Sequence, residues 1–313
     1  GLFMPERENI PLRPILLTSE LLQELTVTSK RLVELCEEAT YLMSDGEPLK
    51  LRKDFGVASE SDPLFSNKPL ARRLAGQIAR PDFLISRGQI KFLEMNIHSA
   101  IGGLQTCSTL PQVYLNSPVA RKLRKSECMY TETPLAEFSR LLNSIRDELG
   151  CGADYTVGFF EWEYDIDETQ WLISLIRAYG INAVHVNPDD MEIHKDGYIY
   201  SNGIRIDVGL RLFSLNSLEF PDDVPHTELL MQGHKVGGTL MLPCETASLY
   251  SNKKVLAFLS ENARLFPPED QKVIETYLPW TRALVTNSLQ HPQKGTIDFE
   301  TLKSYEMQKQ LVL

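Results

Sequence analysis

Between Tyr155 and Val186 the chain passes through an apolar β-prone run (Tyr155 to Phe160), a run with helical periodicity closed by Gly180 (Glu168 to Tyr179), and a second β-prone run (Ala183 to Val186). Strand, helix, strand in that order predicts a parallel sheet with helices on its faces, because the crossover helix must pack back onto the sheet it connects. The surrounding pattern extends the unit. Leu135 to Leu149 has the spacing of an amphipathic helix, Ile204 to Phe213 that of a strand carrying Arg211, and Thr239 to Leu242 that of another strand. Glu192 to His194 and Tyr198 to Tyr200 flank Lys195-Asp196-Gly197 as a hairpin-like pair. Helices are expected near Thr227 to Gly233, over Asn252 to Asn262 and over Pro268 to Tyr277. Residues 131–266 thus read as a Rossmann-like module. No GxGxxG follows Phe160, so a dinucleotide site has no support.

Upstream, Gly1 to Leu17 is punctuated by Pro5, Pro11 and Pro14 and is expected to be extended. Thr18 offers an N-cap for a long amphipathic helix from Leu21 to Met43, which Asp45-Gly46 ends. A polar loop runs to Asn67, and Pro69 to Ala79 predicts a short helix that delivers the chain to Arg80. Phe83 to Ser86 and Ile90 to Met95 then flank Arg87-Gly88-Gln89, the pattern of a hairpin. Glu94 and Asn96, two apart, share one face of the second strand, and antiparallel pairing can bring Asp82 opposite them. Two carboxylates and an amide carbonyl suit a hard cation such as Mg²⁺ rather than zinc. Arg80 can reach the same face with a planar fork of donors for phosphate or an oxyanion. The competing reading of Glu94 and Asn96 is a solvated strand face. The small-residue loop Ser99 to Gly103 lets backbone N–H groups approach an anion closely, and a plain turn is its alternative. His98 is a candidate base, with an orienting or merely exposed histidine as the alternative.

The chain has 313 residues, enough for one large domain or two to three smaller ones. A net charge of -10 without a Lys/Arg stripe argues against a nucleic-acid partner. No apolar run approaches bilayer length and no signal-peptide pattern opens the chain, so a membrane partner is not expected. Five cysteines, an odd number without CxxC spacing, fit free thiols in a reducing cytoplasm.

The hairpin pattern, Arg80-Pro-Asp82-Phe83 followed by Leu93-Glu94-Met-Asn96 and a Gly102-Gly103 loop, has eleven residues between Asp82 and Glu94. It resembles the magnesium-binding hairpin of ATP-grasp ligases, most of all their circularly permuted branch, which includes the glutathionylspermidine synthases and related peptide or amide ligases. The resemblance implies an α/β, ATP-grasp-like fold with a Rossmann-like pre-ATP-grasp module, Mg²⁺ on Asp82, Glu94 and Asn96, and Arg80 steadying the transferred phosphoryl group or the intermediate. It places Ser99, Gly102 and Gly103 beside the acyl acceptor, and Lys253, in Ser251-Asn252-Lys253-Lys254, on ATP phosphate; a capped surface helix is the alternative for Lys253. Tyr277-Leu-Pro279-Trp280-Thr281-Arg282 and Gln310 to Leu313 resemble the approach to the first nucleotide-binding strand. On this view residues 1–130 hold the hairpin half, and residues 267–313 begin a nucleotide lobe whose Lys-Pro and Gly-rich loop are missing, as in a fragment. The implied activity joins an acid and an amine through an acyl phosphate at the expense of ATP, with a peptide or carrier protein among the candidate substrates and a homo-oligomer as a candidate assembly. A binding or scaffold protein that keeps the fold without turnover is the second hypothesis.

Overall fold

The computed structural model describes residues 15–56, 69–98, 102–123, 131, 133–162, 166–212, 237–244, 246–283, 288–291 and 295–307, and the chain is mixed α/β. The helix expected near Thr227 to Gly233, the extended segment before Ile15, Ser99, and Gln310 to Leu313 lie outside these residues. No helix among them is long and apolar enough to cross a membrane.

Helix α1 (Ser19–Met43) starts where Thr18 predicts, with the Leu21 N–H donating to Thr18 Oγ1 at 3.2 Å and so satisfying one of the helix's orphan donors. Leu25, Leu32, Val33, Leu35, Cys36 and Ala39 bury its apolar face. Helix α2 (Pro69–Ala75) is shorter than the expected Pro69 to Ala79. It ends before Gly76, where a Cβ would stand 3.2 Å from Val33, so the backbone presses against α1 and turns toward Arg80. Strands β1 (Arg80–Ser86) and β2 (Gln89–Asn96) pair antiparallel around Arg87 and Gly88, at φ 52° and 76°. Two positive φ values in a two-residue loop match the right-handed twist of the strands.

Two further helices follow, α3 (Leu104–Leu115), which the pattern does not announce, and α4 (Pro118–Leu123), which carries the basic Arg121-Lys122 pair. Then α5 (Pro134–Glu148), β3 (Thr156–Phe160), α6 (Ile166–Arg177) and β4 (Asn182–Val186) realise the predicted succession. Strands β5 (Met191–Ile193), β6 (Ile199–Ser201) and β7 (Ile204–Ile206) form a small antiparallel sheet, while β8 (Val208–Arg211) and β9 (Leu240–Met241) complete a parallel sheet of order β4-β3-β8-β9. The strand expected over Ile204 to Phe213 is therefore two strands in two sheets. The break falls at Asp207, which is buried and cannot stay there without donors. It accepts from the Thr156 N–H at 2.8 Å and pairs with Arg205 at 2.8 Å, which ties the crossing between sheets to the start of β3.

The faces of the parallel sheet also differ from expectation. Val157 and Phe159 pack against α5 and α6 through Leu142, Ile145, Leu172, Ile173 and Ile176. On the opposite face Phe160, Val186 and Met241 pack against Met191, Ile199 and Ile206 of the small sheet rather than against a helix among the described residues. Gly158 and Gly209, directly paired in register, make room for this layer: a Cβ at Gly158 would stand 2.8 Å from Ile206, and one at Gly209 2.5 Å from the Phe160 ring.

A second core holds the hairpin. Helices α7 (Thr246–Tyr250), α8 (Lys253–Glu261) and α9 (Pro268–Tyr277) bury Ala247, Leu249, Tyr250, Val255, Leu256, Leu259 and Ile274 with α1 and with Ile90, Phe92, Met95 and Ile97 of the hairpin segment. Residues 246–266, grouped by the sequence pattern with the Rossmann-like module, thus place their apolar side chains in the hairpin's core. Lys91 Nζ donates to the carbonyls of Glu275, Thr276 and Leu278 at 3.3, 2.7 and 3.0 Å, capping the end of α9 and clamping β2 to it. Tyr277 to Arg282 leads back along α8, the Thr281 N–H and Arg282 Nη1 both donating to Ser260 Oγ. Strands β10 (Ser288–His291) and β11 (Gly295–Asp298) pair with each other, and α10 (Phe299–Met307) follows.

Arg31 joins α1 to α9, its Nε and Nη2 each 2.7 Å from the buried Asp270 carboxylate. Hydrogen bonding from Arg31 holds the Asp270 carboxyl below the usual carboxylate range. A depressed carboxyl stabilises the fold above its unfolded pKa and loses that contribution as pH falls through its folded pKa. The contribution of this pair should therefore be level from neutral pH to about pH 5 and then decline as unfolded Asp titrates, at about 3.9. Asp270→Asn should cost about 1–3 kcal/mol at pH 7 and flatten the acid decline, measured by urea unfolding at pH 7 and pH 3.5. An unchanged acid decline in that variant would show that the pair does not couple protonation to folding.

Candidate active site

The faces of the hairpin are set by one extra residue. Phe83 pairs with Phe92 and Asp82 with Glu94, so Leu93 has no partner and forms a bulge. Ile90 and Phe92 are buried, then the alternation slips and Met95 and Ile97 are buried instead. Strict alternation from Phe92 would have turned Glu94 and Asn96 into the core; the bulge turns them toward solvent.

Past the bulge Asp82 lies directly across from Glu94, and Arg80 across from Asn96. Cross-strand partners and residues two apart share a face, so these four side chains stand together, with Pro81 and Met95 on the reverse. The expected Asp82, Glu94, Asn96 and Arg80 are thereby brought together. Asn96 Nδ2 donates to the Arg80 carbonyl at 3.1 Å, which leaves its Oδ1 as the acceptor. Arg80 Nε stands 4.0 Å from Asp82 Oδ1.

Lys253 reaches the same cluster from α8, with Nζ 3.5 Å from Glu94 Oε2. The helix start that aims it is fixed locally: Asn252 is extended (φ −64°, ψ 131°), its Oδ1 accepts from the Lys254 N–H at 3.0 Å, and Lys254 Nζ donates to the Asp54 carbonyl. Lys253 therefore adds its charge to the positive end of α8. The contact is with a carboxylate, whereas the resemblance implies ATP phosphate as the partner of Lys253.

Gly103, at φ 87°, is the N-cap residue of α3, so Gly102 and Gly103 lead directly into a helix N-terminus. His98 lies just past β2 and is partly buried.

A second polar locus lies at the carboxyl ends of the parallel strands, where ligands commonly bind in open α/β sheets. Arg211 ends β8 and is 2% exposed; Glu161, just after β3, is 7% exposed. His185 Nε2 lies 2.9 Å from the Glu161 carbonyl and 3.9 Å from its Oε2. The sequence carries a signal for Arg211 and Glu161, a charged residue directly ending an apolar β run, but the pattern assigns neither a role.

Among the described residues no group of three or more His, Cys, Asp and Glu is gathered. The hairpin instead offers two carboxylates and an amide oxygen on one face. That donor set fits Mg²⁺, which takes one or two carboxylates and completes its shell with phosphate oxygens and water; it does not fit zinc. No known family model matches the chain, and no curated protein does.

Proposed function

We propose that the protein is an ATP-dependent carboxylate–amine ligase of ATP-grasp type, acting through an acyl phosphate with Mg²⁺. The observation that carries the reading is the pairing of Asp82 with Glu94 past the Leu93 bulge, with Arg80 and Asn96 beside them and Lys253 converging from α8. When bound, Mg²⁺ supplies neutralisation of phosphate oxygens and holds them in line for transfer. Asp82, Glu94 and Asn96 Oδ1 would hold it. Arg80 would stabilise charge on the phosphoryl group or on the tetrahedral intermediate. Lys253 would meet nucleotide phosphate, and the N–H groups at the start of α3, after Gly102 and Gly103, would border the acceptor. The acyl phosphate forms when the acid's carboxylate oxygen attacks the γ-phosphorus and ADP leaves; the amine then displaces phosphate.

The test incubates the protein with ATP, Mg²⁺, hydroxylamine and a panel of amino acids and short peptides. Acid-dependent ADP formation in step with hydroxamate supports the ligase. AMP as the product, or ADP without hydroxamate from any acid, would overturn the acyl-phosphate route. One observation favours the second reading, a non-catalytic scaffold: Asp82 and Glu94 already pair with Arg80 and Lys253, as surface charges do. Nucleotide binding by equilibrium dialysis, with no ADP formed in this assay, is the outcome that reading requires.

A further inference from the structure

We propose that Lys253 and Arg80 act as exchangeable stand-ins for the divalent cation, leaving the carboxylates for the anionic ligand when the metal enters, so that metal and anion bind with positive coupling. The inference rests on the metal-site reading above. Asp82 and Glu94 face each other across the ladder, an arrangement that repels when both are ionised and unpaired. Each has a cation: Arg80 Nε 4.0 Å from Asp82 Oδ1, and Lys253 Nζ 3.5 Å from Glu94 Oε2. Two positive charges thus balance two negative ones, the same balance a single divalent ion would provide.

The two cations are built to let go. The side chain of Lys253 is 69% exposed and that of Arg80 53% exposed. A divalent ion that binds alone must loosen both pairs. An anion beside the metal can accept the released ammonium and guanidinium, next to the positive end of α8, and removes that penalty. The gain is reciprocal, since whatever factor the anion adds to metal affinity the metal adds to anion affinity.

The experiment titrates the protein with Mn²⁺, following free Mn²⁺ by electron paramagnetic resonance, in chloride and in sulfate at equal ionic strength. It compares the native protein with Lys253→Met and Lys254→Met. Both variants lose one charge near the start of α8, but Lys254 bonds the Asp54 carbonyl and not Glu94. Lys253→Met should tighten Mn²⁺ in chloride by about two- to fivefold, the strength of an exposed ion pair, and should lose most of the tightening that sulfate gives the native protein. Lys254→Met should keep both native values. Equal tightening in the two variants, or an undiminished sulfate effect in Lys253→Met, would overturn the exchange and leave the metal site standing. Failure of the native protein to bind Mn²⁺ in either salt would overturn both.

Discussion

Glu94→Ala is expected to reduce ligase turnover by more than about a hundredfold, on the scale seen when a group that positions transferring charge is removed, while leaving the folded state in place. The split follows from where Glu94 sits. The bulge puts its side chain on the solvent side of β2, where it is 39% exposed and its ion pair is with Lys253, so losing it should cost the fold under about 1 kcal/mol. Its proposed work is done on the metal, and the remaining Asp82 and Asn96 leave a single carboxylate for a divalent ion. ADP formation at saturating Mg²⁺ and thermal unfolding of the same sample separate the two effects. Near-normal turnover with an unchanged melting temperature would remove Glu94 from the chemistry and the metal assignment with it.

The second large effect is expected at Arg80. Its guanidinium can make two parallel hydrogen bonds to phosphate oxygens, which an ammonium cannot reproduce. If that contact strengthens as charge develops during transfer, Arg80→Met should lower kcat by about a hundred- to a thousandfold, and Arg80→Lys should recover only part of it. The Michaelis constant for ATP should move little in either variant, because the lost interaction belongs to the transition state. A change mainly in that constant, with kcat preserved, would make Arg80 a ground-state binding residue.

Local pattern revealed the elements better than their partners. The β-helix-β stretch and the hairpin strands were legible because their apolar periods are set by burial on one face. The split at Asp207 was not, because it depends on a buried carboxylate finding the Thr156 N–H, a partner 51 residues away. The layer of small sheet on the parallel sheet was hidden for a similar reason: Gly158 and Gly209 have meaning only once paired. In the site, Asp82, Glu94, Asn96 and Arg80 could be named from spacing and from family resemblance. Their common face was legible too, but the bulge at Leu93 that turns it away from the core was not, since Phe92 to Glu94 alternates as though Glu94 belonged inside. Lys253 was named for phosphate, but its contact with Glu94 required knowing that α8 packs beside the hairpin.

Leu93 also works as a phase marker. On the turn side of it the even positions of β2 face the core; past it the odd positions do. Position number alone therefore carries no information about which side of this ribbon a residue occupies unless Leu93 is counted. A related hairpin that lacked the extra residue would alternate without interruption and still keep Met95 in the core and Glu94 outside; one that kept Leu93 but paired it in the ladder would reverse both. The polar face thus depends on which residues pair as well as on their spacing, and a hairpin without the bulge matches this one, face for face, only when a one-residue gap stands opposite Leu93.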